Sequence, residues 1–175
     1  MRKRVVITGL GAVTPLGNDV STYWTGLVAG RSGVGPITLY DASGEAVRFA
    51  AEVKGFDPVA LLGRKQAKRS DRFVQLALAA ADEAISDAGL PLGSAGYGRR
   101  VGVILGTGIG GIGTLLDNAD LRHERGSRRV SALMIPMMMA NAGAGEIAIK
   151  YGFRGQSLAM TSACVKERRR YLKNV

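Results

Sequence analysis

The chain has 175 residues, with 24 Lys and Arg against 14 Asp and Glu, a formal net charge of +10. A chain of this length buries about 70% of its unfolded surface, so it needs no disulfide or metal to stabilise a core. Hydrophobic residues make up 46% of it, which excludes global disorder, and the excess positive charge favours an acidic partner: nucleic acid, anionic lipid or an acidic protein.

Short apolar runs alternate with helical patterns along the chain. Strands are predicted over residues 4–8, 47–53, 101–105 and 156–160, since each is a short apolar or alternating run. Helices are predicted around Trp24–Val28 after a cap at Asn18 or Ser21, over 72–88 after a cap at Ser70 or Asp71, and within 132–149. The pattern predicts an α/β fold with a mixed, mostly parallel sheet covered by helices on both faces.

Cysteine and histidine are both scarce. Cys164 is the single cysteine, so no disulfide can form within the chain and a reducing, cytoplasmic setting is favoured. His123 is the single histidine and lies among charged residues, which predicts a surface position rather than a metal site. No run approaches the roughly 20 apolar residues that a membrane span requires, so none is predicted.

A glycine-rich run, G-T-G-I-G-G, occupies residues 106–111 directly after a predicted strand. It matches the G-x-G-x-x-G pattern of dinucleotide sites, and Glu124 follows about 20 residues on. However, the run belongs to the third predicted strand, and Gly113 continues it where a helix should begin. A loop that needs positive φ or close backbone approach is therefore favoured over a nicotinamide site.

Cys164 follows a short predicted strand and small residues. A strand, a sharp turn and then a helix would place its thiol at a helix N-terminus, where the thiolate is stabilised and backbone N–H groups can bind an oxyanion. Burial as an unreactive apolar side chain is the alternative.

Several stretches, in this order, resemble 3-oxoacyl-(acyl-carrier-protein) synthases. They are V-V-I-T-G-L-G-A-V-T-P-L-G at 5–17, G-R-S-G at 30–33, G-T-G-I-G-G at 106–111, and Y-G-F-R-G at 151–155 leading to T-S-A-C. The likeness is to the type II β-ketoacyl synthases of fatty-acid synthesis, and polyketide ketosynthases are similar. It implies a thiolase-like fold, of which residues 1–164 would be a partial N-terminal half.

The same resemblance implies the chemistry. Cys164 would take an acyl group from the phosphopantetheine of acyl-carrier protein, and a carbanion from decarboxylated malonyl-carrier protein would then attack the acyl-enzyme to give a 3-oxoacyl product. Ile109 would gate the acyl pocket and Met134 would line it. Lys65, Lys68 and Arg69 would dock the acidic carrier protein. The resemblance implies a homodimer and no cofactor, metal or nucleic acid.

Residues 165–175 depart from the family pattern, which has small, buried residues after the nucleophile. Here a charged run follows, from Lys166 to Arg170, and the segment holds five Lys and Arg, one Glu and no glycine. The resemblance also assigns two histidines and a lysine to a second half, and His123 matches neither histidine. We therefore expect a basic tail and a chain that cannot complete condensation by itself. The alternatives are a non-catalytic fragment that binds carrier protein or a partner chain, and a fragment of a polyketide ketosynthase.

Overall fold

A computed structural model describes residues 4–162, which form short strands and helices in alternation. The elements are α1 (Val20–Val28), β1 (Val34–Pro36), β2 (Phe49–Ala51), α2 (Pro58–Ala67), α3 (Arg72–Asp87), β3 (Val103–Thr107), α4 (Ile112–Arg125), α5 (Met134–Met138), α6 (Ala142–Tyr151) and β4 (Ser157–Thr161). Two 3₁₀ turns lie at Tyr97–Arg100 and Ser127–Arg129. The predicted α/β alternation is confirmed.

The described residues divide into two compact units. The first comprises residues 4–57 and Ala79–Leu90, and the second comprises Pro58–Leu78 and residues 91–162. Helix α3 therefore contributes its first seven residues to the second unit and the remainder to the first.

In the first unit, β1 and β2 pair antiparallel, with Gly35 opposite Ala50. The glycine turn near the N-terminus lies against the alanine-rich part of α3, because a Cβ on Gly11 would overlap the Ala80 carbonyl. Glu83 of α3 accepts a hydrogen bond from the backbone N–H of Ala12, at 2.9 Å. Small residues on both sides thus allow the close contact.

In the second unit, β3 and β4 pair in parallel, with Val103 opposite Ser157 and Thr107 opposite Thr161. The core is apolar and includes Val74 and Leu78 of α3 and Ala144 and Ile147 of α6. Gly143 of α6 faces Leu105 of β3, and a Cβ there would lie 2.5 Å from the Leu105 side chain. Because glycine has no side chain, α6 can pack this closely against Leu105 of β3.

The strand predicted over residues 4–8 is wrong. No strand within 4–162 pairs with it, and Val5 and Ile7 are 91% and 83% exposed. A strand requires inter-strand hydrogen bonds, which an apolar β-branched run cannot supply alone. The sheets of the described residues are two pairs of strands, smaller than the predicted one.

Two details of the predicted helices also differ. Asp19, not Asn18 or Ser21, caps α1, accepting a 2.7 Å hydrogen bond from the Thr22 N–H, which lowers the pKa of Asp19. The helix predicted over 132–149 is two helices, α5 and α6, because Met139 has extended backbone angles (φ −60°, ψ 133°). The helix predicted over 72–88 is confirmed as α3.

Candidate functional site

The carboxyl ends of β3 and β4 lie side by side, because the strands are parallel and in register. The Ser162 N–H donates to the Thr107 carbonyl at 3.2 Å, which extends this pairing one residue beyond β4. The glycine loop follows Thr107, and the chain continues from Ser162 towards Cys164. Cys164 and the tail 165–175 lie outside the described residues. The structure therefore brings the glycine loop beside the residues that precede the predicted nucleophile.

The backbone of the glycine loop lies too close to α5 to leave room for side chains at two of its positions. Gly110 has a φ of +81°, and its N–H donates to Thr107 Oγ1 at 3.1 Å. The Gly111 N–H donates to the Met138 carbonyl at 3.0 Å. A Cβ on either glycine would lie 2.7 Å from a carbonyl oxygen of α5. Ile109, at the tip, is 61% exposed.

Asp71 joins the starts of two helices. Its Oδ2 accepts hydrogen bonds from the Thr114 N–H at 3.0 Å and from Thr114 Oγ1 at 2.6 Å, in the first turn of α4. Its Oδ1 accepts from the Phe73 N–H at 3.2 Å, in the first turn of α3. The side chain is buried. Because Gly111, the N-cap residue of α4, has no side chain with which to accept a hydrogen bond, Asp71 satisfies an amide in the first turn that would otherwise lack an acceptor.

Met134 is half-buried at the start of α5 and lines a cavity of about 380 Å³. The cavity is lined further by Leu115, Asn118, Ala119, Arg122, Ser127 and Val130. Ile109 is not among the lining residues of this cavity. The structure therefore does not bring the two predicted pocket residues together in it.

The three predicted docking cations lie at the end of α2 and just after it. Lys65, Lys68 and Arg69 are all exposed. Helix α2 is interrupted at Gly63, which has a φ of +74°, so the segment that carries the cations starts from a kink. The structure therefore brings these three residues together on one short segment.

Two amide side chains hold the segment that carries Lys65, Lys68 and Arg69 through hydrogen bonds. Gln66 Nε2 donates to Glu146 Oε2 of α6 at 2.8 Å. Gln75 Nε2 donates to the carbonyls of Ala67 and Ser70, each at 2.9 Å. The exposed cations thus lie on a segment whose backbone accepts hydrogen bonds from α3 and whose Gln66 side chain is bonded to α6.

Sequence reasoning missed these supporting residues. Asp71 was recognised as a candidate cap of α3, but its bond to Thr114 joins residues 43 positions apart. The available signal was the glycine immediately before α4, since a helix without its own cap requires another acceptor. The Gln66–Glu146 bond spans 80 positions and has no local signal.

Within residues 4–162, no group of three or more His, Cys, Asp or Glu side chains is arranged to bind a metal ion. His123 is exposed on α4, as predicted. In the same range, no helix combines the length and apolarity needed to cross a membrane.

Comparison with known families decides the assignment. Residues 2–165 match the family described as beta-ketoacyl synthase, N-terminal domain. The chain belongs to the beta-ketoacyl synthase family. It is 48% identical over 163 residues to the 3-oxoacyl-[acyl-carrier-protein] synthase 2 of Synechocystis sp. (strain ATCC 27184 / PCC 6803 / Kazusa), a match that covers 93% of this chain and 39% of that protein. The chain thus spans about two fifths of its relative's length.

Solved ketosynthase structures share its fold. The ishigamide ketosynthase/chain length factor matches with a TM-score of 0.83 and 31% identity, covering 94% of this chain and 41% of that one. A type II polyketide acyl-carrier protein in complex with its ketosynthase, AntDE:AntF, matches with a TM-score of 0.72 and 24% identity, covering 93% and 42%; this second likeness shows the fold alone. The predicted thiolase-like fold, present as an N-terminal portion, is confirmed.

Proposed function

We propose that the chain is part of a 3-oxoacyl-(acyl-carrier-protein) synthase in which Cys164 is the nucleophile. One observation carries the proposal: the glycine loop and the residues leading to Cys164 lie at the same end of two parallel strands, linked by the Ser162–Thr107 hydrogen bond. In α/β folds, ligands bind at the carboxyl ends of the strands. The names of the family's curated members supply the reaction.

The reaction is a decarboxylative Claisen condensation in two stages. The Cys164 thiolate attacks the carbonyl carbon of an acyl thioester, and the carrier protein's phosphopantetheine thiolate leaves and takes up a proton. Malonyl-carrier protein then loses carbon dioxide, and the electron pair of the broken bond forms a carbanion. The carbanion attacks the acyl-enzyme, the new carbon–carbon bond gives a 3-oxoacyl-carrier protein, and the Cys164 thiolate is released.

Within this reaction, we assign Ile109 as the gate of the acyl pocket and Met134 as a wall residue at a different place from the gate, since the cavity that Met134 lines does not include Ile109. The exposure of Ile109 at the loop tip leaves it free to contact a ligand. Met134 lines a cavity bordered by Leu115, Ala119 and Val130, which suits an alkyl chain.

Carrier protein is the proposed partner of Lys65, Lys68 and Arg69. These cations belong to the second unit, whose described residues hold thirteen Lys and Arg against five Asp and Glu. The first unit holds four against eight. An acidic partner is therefore drawn to the second unit, and opposite charges speed such encounters.

We propose no nicotinamide cofactor at the glycine loop. In the dinucleotide motif, pyrophosphate binds at the helix N-terminus that follows the glycines. Here the Asp71 carboxylate accepts the Thr114 N–H at that terminus, and its negative charge repels a phosphate. We also propose a cytoplasmic setting, which the lone Cys164 favours.

A non-catalytic carrier-binding role is the second candidate. It is favoured by one observation: Lys65, Lys68 and Arg69 are exposed together on one short segment of the basic second unit, and binding of an acidic carrier protein there needs no nucleophile. The two candidates differ in whether Cys164 becomes acylated.

Intact mass spectrometry after incubation with acyl-carrier protein tests the proposal on the 175-residue chain. We expect one acyl group added to the wild-type chain and none to Cys164→Ser, because the chain has a single cysteine. Addition of malonyl-carrier protein is expected to give no 3-oxoacyl product from this chain alone.

A folded sample, judged by cooperative urea unfolding, is the control. If the folded wild-type chain takes up no acyl group but binds carrier protein, the nucleophile proposal is wrong and the binding role remains. If Cys164→Ser is acylated equally, another residue reacts and the proposal is also wrong.

A further inference from the structure

We propose that Asp71 is a positioning residue for the proposed acyl gate: its carboxylate holds the start of α4, and thereby fixes the loop that carries Ile109. The link from loop position to acyl selectivity rests on the proposed function. The link from Asp71 to loop position rests on geometry alone.

The first step concerns the loop itself. Residues 106, 108, 110, 111 and 113 are all glycine, so the loop has few side chains with which to fix its own conformation. Glycine loses more backbone freedom on ordering than any other residue. The order of the loop must therefore come from groups other than its glycines.

The second step concerns the points at which it is held. On one side, Thr107 ends β3 and accepts the Gly110 N–H through its hydroxyl at 3.1 Å. On the other side, Asp71 accepts both the N–H and the hydroxyl of Thr114. The Met138 carbonyl accepts the Gly111 N–H between them. Ile109 lies within this short span and is itself exposed.

The third step concerns the strength of the Asp71 anchor. Hydrogen bonds to an ionised carboxylate are about twice as strong as neutral ones, and the helix N-terminus carries partial positive charge. Asp71 is buried and also caps α3 through Phe73, so its position is fixed by the helix it begins. A Cβ on Gly111 would lie 2.9 Å from Asp71 Oδ2, which shows how closely the loop backbone approaches this carboxylate. Loss of the carboxylate therefore releases the start of α4 and the loop before it.

Hydrogen exchange of the 175-residue chain, measured by mass spectrometry, tests the positioning. The variants are Asp71→Asn, which removes the charge, Thr114→Val, which removes the hydroxyl donor, and Thr114→Ser, which keeps it. We expect exchange in residues 106–114 to rise by about tenfold in Asp71→Asn and Thr114→Val but not in Thr114→Ser, while α6 keeps its wild-type protection.

Glu83→Gln is the matched control. Glu83 is another carboxylate of α3 that accepts two backbone amides, from Ala12 and Val20, but it belongs to the first unit. We expect it to lower the urea midpoint without changing exchange in 106–114. If Asp71→Asn raises exchange of α6 as much as that of the loop, or if Glu83→Gln raises loop exchange equally, Asp71 serves stability alone and the proposal is overturned.

Acyl selectivity at Cys164 provides the functional readout. With long-chain and short-chain acyl-carrier proteins, Asp71→Asn is expected to change the ratio of the two acylation rates by about fivefold, because a mobile gate discriminates less. An unchanged ratio in an acylated variant with a mobile loop overturns the link to selectivity. A wild-type chain that is never acylated contradicts the proposed function, whereas the exchange experiment still decides whether Asp71 positions the loop.

Discussion

In both units, carboxylates on α3 or immediately before it accept hydrogen bonds from backbone amides that lie far along the chain. Asp71 does so for Thr114, Glu83 for Ala12 and Val20, and Asp87 for Leu10. Each recipient lies in or near a glycine turn or a helix start, where backbone N–H groups lack a partner within their own segment. These side chains therefore act as caps supplied by a distant part of the sequence.

Glu83→Ala tests the importance of such a cap. In the wild-type chain, the N–H groups of Ala12 and Val20 donate to Glu83 at 2.9 and 2.8 Å. The variant leaves both N–H groups without this acceptor. We expect the free energy of unfolding to fall by about 2–4 kcal/mol, measured by urea denaturation, because bonds to charged acceptors contribute more than neutral ones. Glu83→Gln, which retains one acceptor oxygen, is expected to lose about half as much. Equal losses for the two variants would contradict this account.

Glu52 gives a pH-dependent prediction. It accepts hydrogen bonds from Thr38 Oγ1 at 2.6 Å, from the Thr38 N–H and from the Leu39 N–H, and the Thr38 hydroxyl above all lowers the pKa of Glu52 below its ordinary value of 4.5. A lowered folded pKa means that ionised Glu52 stabilises the fold above the unfolded pKa and loses this effect as pH falls through the folded pKa.

Glu52→Gln is therefore expected to lower the urea midpoint at about pH 7, and the difference from wild type is expected to narrow steadily below about pH 4. Urea titrations at several pH values measure it. A matched control is Glu45→Gln, since Glu45 is exposed. If the difference in urea midpoint between wild type and Glu52→Gln stays constant down to low pH, packing and not ionisation causes the loss of stability.

At the level of elements, helix α6 contains two glycines in different surroundings. A Cβ at Gly143 would lie 2.5 Å from Leu105 Cδ2 and 3.4 Å from Phe73, whereas nothing lies within 4 Å of one at Gly145. Gly143→Ala is expected to destabilise by about 1–3 kcal/mol through overpacking. Gly145→Ala is expected to stabilise by about 0.5–1 kcal/mol, because alanine restricts the unfolded chain and favours helix. Thermal unfolding of both variants measures the contrast, and similar losses at both sites would contradict it.

Elements that depend on local sequence signals were predicted accurately, whereas those that depend on distant contacts were not. Helix α3 was predicted well because its apolar spacing and its cap at Asp71 are local signals. The strands β3 and β4 were placed to within two residues, since apolar runs bounded by glycine are local too. Pairing between strands depends on distant parts of the chain, so the strand predicted over residues 4–8 was wrong. The break at Met139 was also missed, because a single extended residue between two helical patterns leaves their periodicity intact.

At the level of the whole molecule, the ordered motifs identified the family and the fold, whereas the site was predicted incompletely. The motifs placed Ile109 in a loop, where the structure has it, whereas the docking role of Lys65, Lys68 and Arg69 stays a prediction. They gave no sign of Asp71 and Gln66 as supports, because hydrogen bonds between residues 43 and 80 positions apart depend on the fold. The distribution of charge could not be read from the total either. The net charge of the whole chain is +10, but the described residues of the first unit are net acidic and those of the second unit are net basic.

This division of charge allows a matched test of the docking segment. The variant Lys65→Glu/Lys68→Glu reverses two exposed cations of the second unit, and Arg99→Glu/Arg100→Glu reverses two others in the same unit, with the same change in net charge. We expect the first pair to weaken binding of an acidic acyl-carrier protein by about tenfold and to reduce its salt dependence, and the second pair to weaken it by no more than about threefold. Isothermal titration calorimetry at low and high salt measures both. Equal weakening by the two pairs would mean that the partner responds to the overall field of the unit and not to a docking segment at Lys65, Lys68 and Arg69.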